Sequence, residues 1–102
     1  MSVQTKNIPF HKASIGDDEI NEVVDTLKSG WLTMGPKTIE FEKQFAQFMG
    51  VEHAVSMNSA TACLHLALKA IGLNAGDEVI LPTTTFVSTA EVVTYFNAVP
   101  VL

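Results

Sequence analysis

The chain has 102 residues, of which 47% are hydrophobic, so it suffices for one small domain with a modest core. Its formal net charge is −5, it contains no arginine, and its six lysines are scattered. The lack of a basic stripe argues against nucleic-acid binding. No run approaches the ~20 apolar residues of a membrane-spanning helix, and the polar N-terminus has no signal-peptide core. We therefore expect a soluble cytoplasmic protein without a membrane partner.

A single cysteine, Cys63, leaves no partner for an intrachain disulfide. The three histidines show no spacing typical of metal ligands, and each is expected to be structural or solvated. They are His11, His53 and His65. We therefore expect no metal site.

Two amphipathic helices are predicted in the first half of the chain. The first begins after Asp17, which is a plausible N-cap, and stops at Gly30. The second begins at Pro36 and stops at Gly50. Apolar residues follow a helical period in both, and the phenylalanines of the second are predicted to form a packing face. These residues are Ile20, Val23, Val24 and Leu27 in the first, and Phe41, Phe45 and Phe48 in the second.

The second half alternates between strand and helix patterns, which predicts parallel strands in βαβ units. Ser88 and Glu91 match the S-x-x-E capping box at the start of the last helix. The chain order predicted is a strand at 54–57, a helix at 60–71 stopped by Gly72, a strand at 78–81, a helix from Ser88, and a strand from Val99.

The stretch Asn58-Ser59-Ala60-Thr61-Ala62 joins the first predicted strand to its helix. Free N–H groups and the positive end of the dipole at a helix start suit a phosphate group. The alternative is that Asn58 or Ser59 only caps the helix, as such residues usually do. Because ligands of parallel sheets bind beyond the carboxyl ends of the strands, the loops at 58–61 and 82–86 are expected to share one ligand-binding edge.

Three segments in order resemble the start of the DegT/DnrJ/EryC1/StrS family of pyridoxal-phosphate (PLP) sugar aminotransferases. The resemblance extends from about Ile8 to Leu102. The segments are S-G-W-L-T-M-G-P at 29–36 before Phe41-Glu42, N-S-A-T-A at 58–62, and G-D-E-V-I at 76–80 with Thr85-Phe86.

This resemblance implies an α/β fold, the amino-terminal part of the large domain of the PLP-dependent aspartate-aminotransferase fold (type I). Two leading helices at 1–50 would precede the start of a β-α-β-α-β parallel sheet at 51–102. On this interpretation residues 1–102 form a partial PLP-binding domain, and the remainder of that domain and the C-terminal domain are missing.

The resemblance also implies roles for individual residues. Thr61 and Ala62 would hold the PLP phosphate by a hydroxyl and a backbone N–H, in a turn shaped by Ser59 and Ala60. Phe86 would stack on the pyridine ring; the alternative is a core phenylalanine under the sheet.

The segment from Trp31 to Pro36 matches one that lies near the active site in the family. Trp31, Thr33 and Gly35 would therefore lie near the substrate. The alternative is a helix–helix linker with a buried tryptophan.

The implied function is transfer of an amino group, typically from glutamate, to a keto group of a nucleotide-linked sugar by a homodimer. Cell-envelope polysaccharide and antibiotic sugar pathways both fit. No catalytic residue is expected in this chain, because the Schiff-base lysine and the aspartate that pairs with the pyridine nitrogen lie further along family sequences. Neither Lys37 nor Lys69 has the desolvated setting that a nucleophilic amine needs, so the chain alone is expected to be inactive.

Three alternatives stay open. One is a sugar dehydratase of the same family, which uses pyridoxamine phosphate and has histidine in place of the lysine. Another is a dinucleotide-binding module, although no G-x-G-x-x-G follows any predicted strand. The third is a truncated, non-catalytic fragment.

Overall fold

The computed structural model describes residues 8–102, an α/β chain that divides into two compact units between Ile39 and Glu40. The sheet has two parallel strands, paired in the register Glu78 to Val99 and Ile80 to Val101, as the βαβ pattern predicts. Over this described range, no helix has both the length and the apolar character that crossing a membrane requires. The elements are α1 Asp17–Ser29, α2 Pro36–Met49, α3 Ala60–Ala70, β1 Glu78–Ile80, α4 Ser88–Thr94 and β2 Val99–Val101.

Helix α1 begins one residue earlier than its predicted cap implies. Gly16, and not Asp17, is the N-cap, because the N–H of Gly16 donates to Oε2 of Glu19 at 2.6 Å. That backbone hydrogen bond lowers the pKa of Glu19. The helix stops at Gly30 as predicted, where φ is 72°.

Helix α2 begins at Pro36 and stops before Gly50, as predicted. Its phenylalanines are not a buried packing face within residues 8–102. Phe48 is 86% exposed, and the rings of Phe41 and Phe45 contact each other with centroids 5.8 Å apart. Ala46 is the buried residue of this helix.

Helix α3 ends in a turn with two backbone hydrogen bonds. Gly72, the residue predicted to stop this helix, makes that turn possible. Gly72 has φ of 80°, a left-handed conformation that residues with a Cβ rarely adopt. Its N–H donates to the carbonyl of Lys69 at 3.1 Å, and the N–H of Leu73 donates to the carbonyl of Leu68 at 3.1 Å. These bonds satisfy carbonyls that the helix end would leave unpaired.

The core of the second unit lies where α3 and α4 pack beside the two strands. Leu81, Val93 and Ala98 are buried, and each comes from a different element or loop. Partly buried side chains of α3, β1, α4 and the adjoining loops pack around them and complete the cluster. These are Leu68, Leu73, Val79, Ala90 and Phe96.

The strand predicted at 54–57 does not form in the described structure. A strand requires a ladder of hydrogen bonds to a neighbour, and the sheet contains β1 and β2 alone within residues 8–102. The apolar run is instead tied by Ser56 to a side chain of α2. The predicted β-α-β-α-β order is therefore confirmed only from α3 onward.

The capping box predicted at Ser88 is also wrong. Val87 is the N-cap, without a side-chain bond, and Ser88 is a buried residue inside α4. Backbone hydrogen bonds hold the first turn of this helix, since the N–H groups of Ala90 and Glu91 both donate to the carbonyl of Val87. A serine inside the first turn cannot cap it.

Candidate functional site

The start of α3 gathers the four residues of the predicted phosphate turn. Ser59 is extended, with φ of −158° and ψ of 153°, and its Oγ accepts a hydrogen bond from the N–H of Ala62 at 3.1 Å. Ser59 is therefore a true N-cap. Among residues 8–102, the N–H groups of Ala60 and Thr61 have no protein acceptor. Capping thus leaves two backbone donors at the positive end of an eleven-residue helix.

Exposure differs along this turn in a way that suits a bound anion. Ser59 and Ala60 are exposed, whereas Thr61 and Ala62 are half-buried. The Thr61 side chain adds a hydroxyl donor beside the two free N–H groups. Together these groups are hydrogen-bond donors, which is the chemistry that a phosphate dianion requires.

Phe86 lies in the loop between β1 and α4 and is 74% exposed. The alternative of a core phenylalanine under the sheet is therefore wrong for the described structure. Its carbonyl accepts the N–H of Thr89 at 3.0 Å, and the Thr85 and Thr89 hydroxyls are hydrogen-bonded at 2.9 Å. Hydrogen bonds of Phe86 itself and of its neighbour Thr85 thus hold the loop to Thr89. Within residues 8–102, the ring of Phe86 stacks on no other aromatic ring.

Aromatic contacts join α3 to the two residues that directly follow α4. The His65 ring lies edge-on to Tyr95 and Phe96, with centroids 5.1 and 5.3 Å away. Burial raises the pKa of the Tyr95 phenol, and the nearby charge of Glu91 adds to this. The part of the chain that the structure describes contains no cluster of His, Cys, Asp and Glu suited to a metal ion. The ring contacts give His65 a packing role.

In the first unit, residues 31–35 fold into a compact loop around the indole of Trp31. The indole Nε1–H donates to the carbonyl of Met34 at 2.9 Å, and the backbone N–H of Trp31 donates to Oγ of Ser29 at 3.1 Å. A Cβ on Gly35 would overlap Nε1 and Cδ1 of the indole. Trp31 is nevertheless 58% exposed, so the alternative of a buried linker tryptophan is wrong here.

The indole forms one wall of a concavity of about 300 Å³. All three residues predicted to lie near a substrate contribute to its lining. The lining consists of Thr26, Ser29, Trp31, Leu32, Thr33, Gly35, Pro36, Lys37 and Thr38.

Lys37 faces acidic side chains of α1. Its Nζ forms ion pairs with Glu22 and with Asp25, the latter at 2.9 Å. Hydrogen bonding to Glu22 and then to Asp25 raises the pKa of the Lys37 ammonium. A nucleophilic amine requires the opposite shift of its pKa.

Glu42 is a residue to which sequence reasoning gave no role. Its Oε1 accepts both the N–H and the hydroxyl of Ser56, each at 2.7 Å. Both bonds lower the pKa of the Glu42 carboxyl, and the bond from the backbone N–H of Ser56 has the larger effect. The sequence signal for this contact was a polar residue, Ser56, inside the apolar run 54–57.

Parallel strands, loops at their carboxyl ends and a helix start with free N–H donors are typical of α/β domains that bind phosphorylated ligands. The model of the DegT/DnrJ/EryC1/StrS aminotransferase family matches residues 13–102. The chain therefore belongs to this family, as its sequence motifs predict.

Two relatives support the same assignment. The chain is 52% identical over 101 residues to the spore coat polysaccharide biosynthesis protein SpsC of Bacillus subtilis, covering 97% of this chain and 26% of SpsC. It is 46% identical to a protein of Streptococcus pneumoniae assigned as a sugar aminotransferase and solved in PMP, PLP and apo forms. That likeness has a TM-score of 0.85 and covers 94% of this chain and 24% of the other.

A dehydratase shares the fold as well. The GDP-4-keto-6-deoxy-D-mannose-3-dehydratase of E. coli, solved with hydrated PLP, is 26% identical with a TM-score of 0.84. The match covers 92% of this chain and 26% of the dehydratase. The chain thus spans about a quarter of the length of the relatives it matches.

Proposed function

We propose that the chain is the amino-terminal part of the large domain of a PLP-dependent sugar aminotransferase, with its phosphate-binding turn at residues 59–62. The observation that carries the proposal is the start of α3, where Ser59 caps the helix and the N–H groups of Ala60 and Thr61 stay free. In this assignment residues 1–50 supply the leading helices and residues 51–102 begin the sheet.

The residues present fit the phosphate and one ring face of PLP. Residues 59–62 supply two backbone donors and the Thr61 hydroxyl, and the exposed Phe86 supplies an aromatic face for stacking. Bound PLP supplies the electron sink for amino transfer. This chain's own residues would bind and orient the cofactor, through the donors at 59–62 and the ring of Phe86.

We assign the substrates as a nucleotide-linked keto sugar and an amino donor such as glutamate. The support is the family membership and the relatives, which include a polysaccharide biosynthesis protein and an assigned sugar aminotransferase. Trp31, Thr33 and Gly35 line the concavity that we assign to the vicinity of the sugar substrate.

The enzyme is further proposed to act in the cytoplasm as a homodimer. Large apolar side chains stand exposed in both units, among them Leu32 in the first and Phe48 in the second. Exposed apolar area of this extent favours cover by further protein surface. The rest of the polypeptide and a second subunit are the proposed cover.

The second candidate is a sugar dehydratase of the same family, which the E. coli likeness favours. It differs in the chemistry at the sugar, where a hydroxyl is lost and no amino group is gained. The phosphate turn proposed above serves either enzyme.

The activity test uses the complete protein that carries this chain, loaded with PLP and given glutamate and nucleotide-linked keto sugars. We expect 2-oxoglutarate and an aminated sugar nucleotide in equal amounts, measured by mass spectrometry. A deoxygenated keto sugar without an added amino group would select the dehydratase. The isolated 102-residue chain is the matched control, and we expect it to form neither product.

A further inference from the structure

We propose that Glu42 is a positioning residue for the cofactor site: it fixes the segment that carries the phosphate-binding turn. The proposal rests on the function proposed above for residues 59–62. Glu42 itself is not expected to contact the cofactor.

The geometry joins two parts of the second unit that are 14 residues apart in the chain. One carboxylate oxygen, Oε1 of Glu42, accepts both the backbone N–H and the hydroxyl of Ser56 at 2.7 Å. Both residues are half-buried, so water competes only in part for these bonds. Two donors on one residue fix the rotation of the segment as well as its position, and the charge on the acceptor strengthens both bonds.

The tie matters because no other hydrogen bond holds residues 54–57 in the described structure. No strand ladder forms at 54–57, and the hydrogen bond from the N–H of Val51 to Ala46 lies five residues before Ser56. Ser59, which caps α3, follows Ser56 by only three residues. A displaced Ser56 would shift the cap and the free donors of Ala60 and Thr61.

The ionisation state of Glu42 supports this role. Because the bonds from Ser56 lower the pKa of the Glu42 carboxyl, it is charged at neutral pH and accepts from both donors. The charged carboxylate therefore lies against the two donors of Ser56. A glutamine at this position keeps an acceptor oxygen but loses the charge.

The test measures PLP affinity by titrating the complete apoprotein with PLP. We expect Glu42→Ala to weaken binding about 10-fold, with Glu42→Gln and Ser56→Ala in between. Glu40→Ala is the matched control on the same helix, because Glu40 is exposed and, among residues 8–102, accepts a hydrogen bond only from Gln44. It should leave the affinity unchanged.

Amide hydrogen exchange of the apoprotein separates positioning from general stability. In Glu42→Ala we expect faster exchange at residues 56–62 and unchanged exchange in β1, α4 and β2. Equal PLP affinity of Glu42→Ala and Glu40→Ala would overturn the proposal, as would faster exchange throughout the domain. If Glu42→Ala does not fold, Ser56→Ala decides, since it keeps the carboxylate and removes one donor.

Failure of the proposed function has a different signature. If the unmodified protein does not bind PLP, the cofactor assignment fails. If it binds PLP and Glu42→Ala binds it equally well, only the positioning role fails.

Discussion

Replacing Ala60 by aspartate is expected to weaken PLP binding about 100-fold relative to replacing it by asparagine. Ala60 is the first residue of α3, it is exposed, and its N–H has no acceptor in the described structure. A carboxylate there repels the phosphate dianion directly. Titration of the complete apoprotein with PLP, followed by the cofactor absorbance, measures the effect.

Asparagine has nearly the same shape as aspartate, so the pair isolates charge. Aspartate in the first turn also favours the helix dipole, so unfolding does not account for a loss of affinity. Ala70→Asp, at the opposite end of α3, should leave PLP affinity unchanged despite its unfavourable position for the helix. Equal affinities for Ala60→Asp and Ala60→Asn would contradict the phosphate assignment.

Gly35→Ala is expected to lower the free energy of unfolding by about 1–3 kcal/mol. The added Cβ would overlap Nε1 and Cδ1 of the Trp31 indole and lie 3.0 Å from its Cε2. The ring must move, and its hydrogen bond to the carbonyl of Met34 is then lost. Denaturant unfolding of the complete protein measures the change.

A double-mutant cycle with Trp31→Ala identifies the cause. Once the indole is removed, Gly35→Ala should add only a few tenths of a kcal/mol, because the clash has no partner. An equal cost in both backgrounds would show that the backbone at Gly35, and not the tryptophan ring, demands glycine.

Much of the local structure could be predicted from the sequence. Apolar periodicity and the glycines at 30, 50 and 72 located α1, α2 and α3, and short apolar runs located β1 and β2. These signals are local, which is why they survive without tertiary information. The family assignment also followed from ordered motifs and is confirmed by the match over residues 13–102.

What the sequence did not reveal depends on partners distant in the chain. The run 54–57 has the composition of a buried strand, but strand formation needs a neighbour that its own residues do not specify. The caps at Gly16 and Val87 differ from the predicted residues because side-chain and backbone acceptors compete for the N–H groups of one turn. The bond from Ser56 to Glu42 is tertiary, and no sequence spacing indicates it.

The candidate site was predicted in part. The structure confirms that residues 59–62 form a capped helix start with free donors. Phe86 and residues 31–34 are exposed, as a ligand-facing role requires, and Gly35 is half-buried, but their roles stay predictions.

A crystal structure of the complete protein with bound PLP tests the central claim most directly. We predict phosphate oxygens at ~2.7–3.1 Å from the N–H groups of Ala60 and Thr61 and from the Thr61 hydroxyl. A PLP phosphate held by other residues, with 59–62 out of hydrogen-bond reach, would contradict it.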